Sequence, residues 1–493
     1  GLLLGSLWSF AELGWGGYWA WDPVENAALM PFLAATAFLH SIMVQEKRGM
    51  LKVWNACLIV ATFSLALLGT FLVRSGVLQS IHAFGASTVG TPLLVLIGVV
   101  VLGSTLLIIS RLDDLRSERR IESLLSREAI FLVNNLLLLG LCVVIFWGTF
   151  FPLISELFTG TRSSLAAPWF DRYTTPLAIV LVLFTGIGPL VAWGRFSAAS
   201  ARRVLLWPLV GAGATAVVLL VVSDAHQSLW ALALFCFAAF SLVALGQEFW
   251  RGAASRRALS GASFGSALAA TVGRNRRRYG GYIVHAGMVV LLIGVAASSS
   301  FQTNRDVSLD VGQSADVGDY SVTYERPTVD VANERIAFGA FLNVKRDGKQ
   351  FSVVHPQRNY YVSEDPSAGP IGRFFEGEAT SEVALKVGAR EDFWTAFEPD
   401  LSGLDAPIAR ANRKFGKAPL DVQGFVINAV AQSYLNDPPP ANFRVIVDPL
   451  VSWIWIGGAI GIGGALIALW PAGARRRVRS PAAERAARGL SRA

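Results

Sequence analysis

Nine stretches of about twenty apolar residues recur along this chain of 493 residues. Each is long enough to cross the roughly 30 Å hydrocarbon core of a bilayer. They are residues 24–44, 53–73, 90–110, 129–152, 173–193, 204–223, 228–247, 282–300 and 449–470. In that core every backbone polar group must be paired within the structure, so continuous runs of this length predict helices. Residues 1–13 read as the end of one more span, and the chain opens on Gly1 inside that apolar run. The expectation is an all-α polytopic membrane bundle of about ten spans, the first one partial, with sequence missing upstream. Composition agrees: 53% of residues are hydrophobic and 16% charged, against about 25% charged in soluble domains.

Loop charge predicts the orientation. Segments 45–52, 111–128, 194–203, 248–281 and 471–493 together carry 25 Lys and Arg, whereas 14–23, 74–89, 153–172 and 224–227 carry 3. By the positive-inside rule the first set is cytoplasmic. The net charge of +8 follows largely from this asymmetry and does not indicate nucleic-acid binding. The tail run Arg475-Arg476-Arg477-Val478-Arg479 suits anionic lipid headgroups.

After Ser300 the pattern changes to a period of two. Residues 307–311, 320–324, 341–344, 351–354, 383–387 and 443–447 read as strands. Asp347-Gly348 is a hairpin signal, and Pro438-Pro439-Pro440 marks a stiff loop. The expected organisation is a transmembrane domain over 1–300 and a β-rich extracytoplasmic domain over 301–448. A final span at 449–470 and a basic cytoplasmic tail at 471–493 complete it. Cys57, Cys142 and Cys236 fall inside separate spans, so no disulfide framework or cysteine metal site is expected. There is no internal repeat, phosphate loop or nucleophile motif.

The most specific feature is the loop 14–26, Gly-Trp-Gly-Gly-Tyr-Trp-Ala-Trp-Asp-Pro-Val-Glu-Asn. Trp15, Trp19 and Trp21 at a membrane surface read either as an interfacial aromatic belt or as a flat platform for a planar aromatic ligand. Gly16 and Gly17 would let the backbone approach that ligand. Asp22 and Glu25 fit both a contact to the ligand or tryptophans and a cap on the helix beginning near Pro23.

His40 and His285 lie inside spans, each seven residues from a flanking cation (Lys47 and Arg278). At 1.5 Å rise per residue both sit roughly 10 Å inside the charged boundary, on helices of opposite direction. Two readings stand: separate histidines bonded to neighbouring helices, or axial ligands on opposite faces of one haem iron. His82 shares the outer side with the tryptophans and reads either as a surface histidine or as an iron ligand. His226 and His355 read as structural or solvated.

These residues resemble the CcmF/NrfE family of cytochrome c haem lyases. Trp15-Gly16-Gly17-x-Trp19-x-Trp21-Asp22-Pro23-Val24-Glu25-Asn26 is similar to its tryptophan-rich haem-handling (WWD) motif. Met30-Pro31, Glu46-Lys47-Arg48-Gly49, 68–77, 81–84, 282–285 and 448–458 resemble it further. Tyr18 and Phe32 depart from the pattern, standing where indoles are frequent.

The resemblance implies several roles. His40 and His285 would ligate a b-type haem. His82 would bind the iron of a substrate haem held at Trp15, Trp19, Trp21 and Asp22; Arg74 is expected to pair with a propionate. The first outer histidine of the family would lie upstream of Gly1. The implied activity, in a bacterial cytoplasmic membrane, is attachment of haem from a haem chaperone to Cys-x-x-Cys-His motifs of apocytochrome c. Thiol-reducing partners would present the apocytochrome, and a membrane quinol would reduce the haem through the b haem. No protein nucleophile is needed, because the acceptor cysteines supply the thiols. The competing expectations are a paralogous lyase dedicated to nitrite reductase, a haem transporter, and an electron-transfer cytochrome b subunit.

Overall fold

The computed structural model describes residues 1–80, 88–117, 121, 123, 126–191, 193, 198–332 and 334–471. A short apolar helix, α1 (Leu2–Glu12), is followed by α2 (Pro23–Arg48), α3 (Lys52–Ser75), α4 (Gly90–Ser110) and α5 (Arg127–Thr159). Next come α6 (Ala167–Leu190), α7 (Ala198–Val222), α8 (Leu229–Ser260), the short amphipathic α9 (Phe264–Arg274) and α10 (Arg276–Phe301). Ten strands and three small helices then intervene before α14 (Ser452–Leu469). Among the described residues, nine helices are long and apolar enough to cross a membrane. They are α2 to α8, α10 and α14, one for each apolar run.

Several helices extend beyond their apolar runs, because caps rather than hydropathy end them. The 33 residues of α5 begin after Ser126, whose Oγ accepts from Ala129 N, and stop at Gly160 in the left-handed conformation. The 32 residues of α8 run between the N-cap Ser228 and Gly261, also left-handed. These are ordinary start and stop signals. The sequence expectation of a plain loop over 248–281 is corrected by the C-terminal part of α8, by α9 and by the start of α10.

The bundle has two groups of helices. α2 packs on α3 and α5, whereas α10 packs most closely on α14 and also on α8; the backbones of α2 and α10 do not pack closely. Close approach of α10 and α14 comes from glycines at heptad spacing. A Cβ on Gly287 would strike the backbone of Gly457 and Gly461, and one on Gly464 would strike that of Gly280 and Val284. Small residues let membrane helices touch backbone to backbone, where dispersion and polar contacts replace the hydrophobic effect.

The region between α10 and α14 is built from β1 (Thr303–Leu309), β2 (Ser314–Val317), β3 (Tyr320–Val331), β4 (Arg335–Arg346), β5 (Lys349–Val354) and β6 (Gln357–Tyr361), followed by the single-turn α11 (Gly369–Gly372). Then come β7 (Ala379–Glu382), β8 (Ala384–Lys386), β9 (Glu391–Glu398), α12 (Asp405–Phe415), α13 (Leu420–Ser433) and β10 (Ala441–Pro449). One sheet has the order β1-β10-β9-β8; the other runs β2-β3-β4-β6-β7, with β5 also paired to β4. Asp347 and Gly348, both at positive φ, close the β4–β5 hairpin, as the sequence predicts. Tyr320, Tyr324, Phe338, Phe393, Phe397 and Phe443 fill the core, with Ile408 of α12 and Ile427 of α13 packed into it.

β9 and β10 are covered on both faces. Phe393, Phe397, Phe443 and Val445 face the domain core. Trp394, Ala396 and Ile446 face the other way and pack with Phe10 of α1 and Val451 and Ile454 at the start of α14. A strand buried on both faces loses its alternation, so Phe393-Trp394-Thr395-Ala396-Phe397 gives no period-two signal. β9 is accordingly absent from the strands expected from sequence.

Candidate functional site

The Trp-bearing loop is pinned by backbone chemistry before any ligand is considered. Asp22 is the N-cap of α2: its Oδ1 accepts from Val24 N at 2.9 Å and from Ser80 Oγ at 2.6 Å. Glu25 closes the box, its Oε2 accepting from Ala20 N at 2.9 Å and Asp22 N at 3.2 Å. Asn26 Nδ2 donates to Trp21 O at 2.9 Å. The capping-box reading of Asp22 and Glu25 is thus realised.

The three indoles do not form one flat surface, contrary to the platform expectation. Trp21, at φ 56°, stacks on Phe170 of α6 with centroids 5.0 Å apart and planes 7° from parallel. Its Nε1 donates to Asp171 Oδ1 at 2.9 Å. Trp19 stands edge-on to Trp21, at 5.9 Å and 89°. Trp15 folds back over Gly17, where any Cβ would overlap its ring. Gly16 (φ 80°) leaves room for Ile446 and Trp394 of the sheet. Edge-to-face contact is a favoured aromatic geometry, and here it sets the two indole planes at right angles.

The loop is also tied to its surroundings. Trp394 is fully buried and donates Nε1–H to Phe10 O at 2.9 Å. Tyr18 Oη lies 2.8 Å from Ser298 Oγ near the end of α10. Within the sheet, Asp448 of β10 and Asp392 of β9 are partners in register, both buried. Burial pushes the Asp448 carboxyl up to about 7, opposed by the hydrogen bond from Gln302. Asp392 is also raised by burial, against bonds from Gly388 N and Ser452 Oγ.

At the far end of the bundle Glu46 of α2 pairs with Arg277 of α10 at 3.0 Å. Six residues before Glu46 and eight after Arg277, the rings of His40 and His285 meet with centroids 6.0 Å apart, inclined at 54°. The equal depth expected from the flanking cations is therefore realised as proximity. Both histidines are half-buried. His40 Nδ1 is 2.9 Å from Asn134 Nδ2 of α5. His285 Nδ1 is buried and has no hydrogen-bond partner, so its accessible edge is the one bearing Nε2.

Two imidazoles on one metal, with metal–nitrogen bonds of about 2 Å, put their centroids about 6 Å apart. The donor set and spacing fit a bis-histidine iron. Among the described residues no cluster of three His, Cys, Asp or Glu suits a bare metal ion.

The other expected site residues are dispersed. Arg74 is exposed in the last turn of α3. His82 lies outside the described residues. His226 sits in a short turn, Ala225–Gln227. His355 stacks on Phe341 at 4.2 Å, with Thr328 Oγ1 and Gln357 Nε2 at its two nitrogens, the pattern of a structural histidine.

Sequence reasoning missed Phe170, Asp171, Asn134 and Trp394. Asn134-Asn135, two amides inside an apolar span, was an available signal, since polar residues at membrane depth are costly. The aromatic-acidic run Trp169-Phe170-Asp171 at the head of α6 was another.

A family model described as cytochrome C assembly protein matches residues 1–81. The whole chain is 32% identical to the cytochrome c-type biogenesis protein CcmF of Pseudomonas aeruginosa, covering 66% of that relative. It is 31% identical to CcmF of Escherichia coli over 97% of this chain and 64% of the relative. To NrfE of Haemophilus influenzae it is 27% identical, over 97% of this chain and 65% of the relative. A solved structure, cytochrome c heme lyase CcmF, superposes with a TM-score of 0.68 at 26% identity, over 95% of this chain and 63% of that one. The chain thus spans just under two thirds of the length of these relatives.

Proposed function

Given that this multi-pass membrane chain belongs to the CcmF/NrfE family of cytochrome c-type biogenesis proteins, we propose that it is the haem-attaching part of a cytochrome c haem lyase. The loop 14–26 and the β-rich domain then face outward from a bacterial cytoplasmic membrane, the side the loop charges favour. Haem delivered by a chaperone is the substrate, and apocytochrome c, presented by thiol-reducing partners, is the acceptor. Each cysteine thiol adds across one vinyl group: a C–S bond forms, the vinyl double bond becomes single, and the thiol hydrogen goes to the other vinyl carbon. No electrons are lost in this step and no protein nucleophile is consumed. The protein's part is to hold the partners in register. Trp19 and Trp21 offer aromatic surfaces at right angles, Trp21 is fixed by Phe170 and Asp171, and His82 and Arg74 are assigned to the iron and a propionate.

One observation supports the reading most: two imidazoles, carried on α2 and α10, with ring centroids 6.0 Å apart. We assign His40 and His285 to hold a b haem there through their Nε2 atoms. Bound in that place, a b haem supplies one-electron transfer from a membrane quinol toward the substrate haem.

The test is an optical spectrum of the purified protein, oxidised and then dithionite-reduced, with His40, His82 and His285 each replaced by Ala. Loss of the b-haem bands in His40→Ala and His285→Ala, with the bundle still folded, is expected. Bands retained in both sink the ligand pair. His82→Ala should keep those bands and stop covalent attachment; normal assembly of c-type cytochromes would instead indicate an electron-transfer subunit. A transporter would move haem into vesicles without apocytochrome, whereas a lyase needs the acceptor thiols.

A further inference from the structure

We propose that Asn134 is a positioning residue for His40, its side-chain amide engaging Nδ1 so that Nε2 is the ring nitrogen left bare. The inference rests on the reading of His40 and His285 as an iron-ligating pair. It concerns a residue on a third helix, α5, that meets the pair from the side.

Asn134 lies in the stretch Phe131-Leu132-Val133-Asn134-Asn135-Leu136-Leu137, within a candidate span. Its Nδ2 is 2.9 Å from His40 Nδ1. The face of the same imidazole lies 5.8 Å from the Phe131 ring, inclined by 28°. One helix therefore supplies both an in-plane polar contact and a covering ring, spaced three residues apart on one helical face. These two contacts restrain rotation of the His40 ring. His285 has no such device, because its Nδ1 is buried without a hydrogen-bond partner.

The proton bookkeeping follows from imidazole chemistry. A neutral ring carries one N–H and one lone pair. For Nε2 to offer its lone pair across the gap, the proton must sit on Nδ1, and Nδ1–H must find an acceptor. Asn134 supplies it when its amide is turned so that Oδ1 faces the ring. The structure has Nδ2 toward the ring; the two ends of an amide differ little in shape, and a half-turn puts Oδ1 there at the same distance. With Nδ2 facing the ring, the proton would sit on Nε2 and no lone pair would reach the gap. An acceptor on the remote nitrogen also makes the ligating nitrogen more basic, which favours the higher oxidation state of a bound iron. A neutral amide does this less than a carboxylate would. It brings no charge into the bilayer core, where an ionised side chain costs several kcal/mol.

Two measurements on the full-length protein test this. In haem-free protein labelled with 15N-histidine, solid-state NMR should find His40 protonated on Nδ1. Asn134→Leu should give mixed tautomers, and Asn134→Asp, which keeps an acceptor, should restore the Nδ1-protonated form. In haem-loaded protein, Asn134→Leu should weaken ferric binding relative to ferrous about tenfold, raising the midpoint potential by about 59 mV. A wild-type tautomer in Asn134→Leu overturns the proposal, as does a potential unchanged in that variant. If Asn134→Leu takes up no haem, the NMR result alone decides. Failure of the underlying site is recognised separately, by b-haem bands that persist in His40→Ala.

Discussion

Asp22 carries the sharpest test at the level of a single residue, because a cap and a ligand contact demand different things of it. As an N-cap it needs only an oxygen to accept from Val24 N and Ser80 Oγ, and Asn serves nearly as well as Asp. Asp22→Asn should therefore attach haem to an apocytochrome close to wild-type levels. Asp22→Ala should lose roughly 1 kcal/mol of stability and disorder the loop. Haem-stained acceptor on a gel reads both; failure of Asp22→Asn would return the carboxylate charge to the chemistry. Asp448 makes a second prediction, through pH. Its carboxyl, fully buried and raised to about 7, holds its proton more tightly folded than unfolded. The stabilising contribution is complete below the unfolded value of about 4 and is lost as pH rises through about 7. Asp448→Asn should remove that slope, gaining on the order of 3 kcal/mol at pH 8 relative to its effect at pH 4. Thermal midpoints in detergent across this range would show it, and parallel wild-type and Asn curves would refute it.

Helix pairing places the imidazole of His285, and its glycines can be tested one at a time. A Cβ at Gly287 collides with the α14 backbone, whereas one at Gly281 meets nothing within 4 Å. Gly281→Ala should be neutral or stabilising by up to about 1 kcal/mol, the helix-propensity gain. Gly287→Ala should push α14 away, lower the thermal midpoint and weaken b-haem absorbance. Equal behaviour of the two variants would show that close packing does not set the ligand's position. The elements themselves were largely legible, because a bilayer forces each long apolar run into a helix. The equal depth of His40 and His285 was legible too, since helical rise converts residue counts into distance. What escaped were features set by tertiary contact. β9 hides its period because both its faces are buried, and Asn134 could not be paired with His40 before α5 was known to lie beside α2. The angle between Trp19 and Trp21 depends on Phe170 and Asp171, about 150 residues further along the chain.

On the scale of the whole molecule, the β-rich domain and the membrane bundle are coupled at the loop. Trp394 links them, by its bond to Phe10 O and by the ring contact that Gly16 permits. Trp394→Phe keeps an aromatic ring but removes the donor and part of the contact area. We expect it to leave the b-haem spectrum intact while reducing covalent attachment several-fold and exposing 13–20 to proteolysis. Wild-type attachment together with faster proteolysis would mean that the chemistry tolerates a loose loop. The domain's two connections also have a shared consequence. β1 and β10 leave and enter as hydrogen-bonded neighbours, Thr303 beside Val447, and the helices they continue into touch backbone to backbone. The 303–449 segment is thus a cassette whose two ends meet at one doorway, which a short hairpin could close. The length of chain beyond that doorway accordingly places no demand on the distance between α10 and α14.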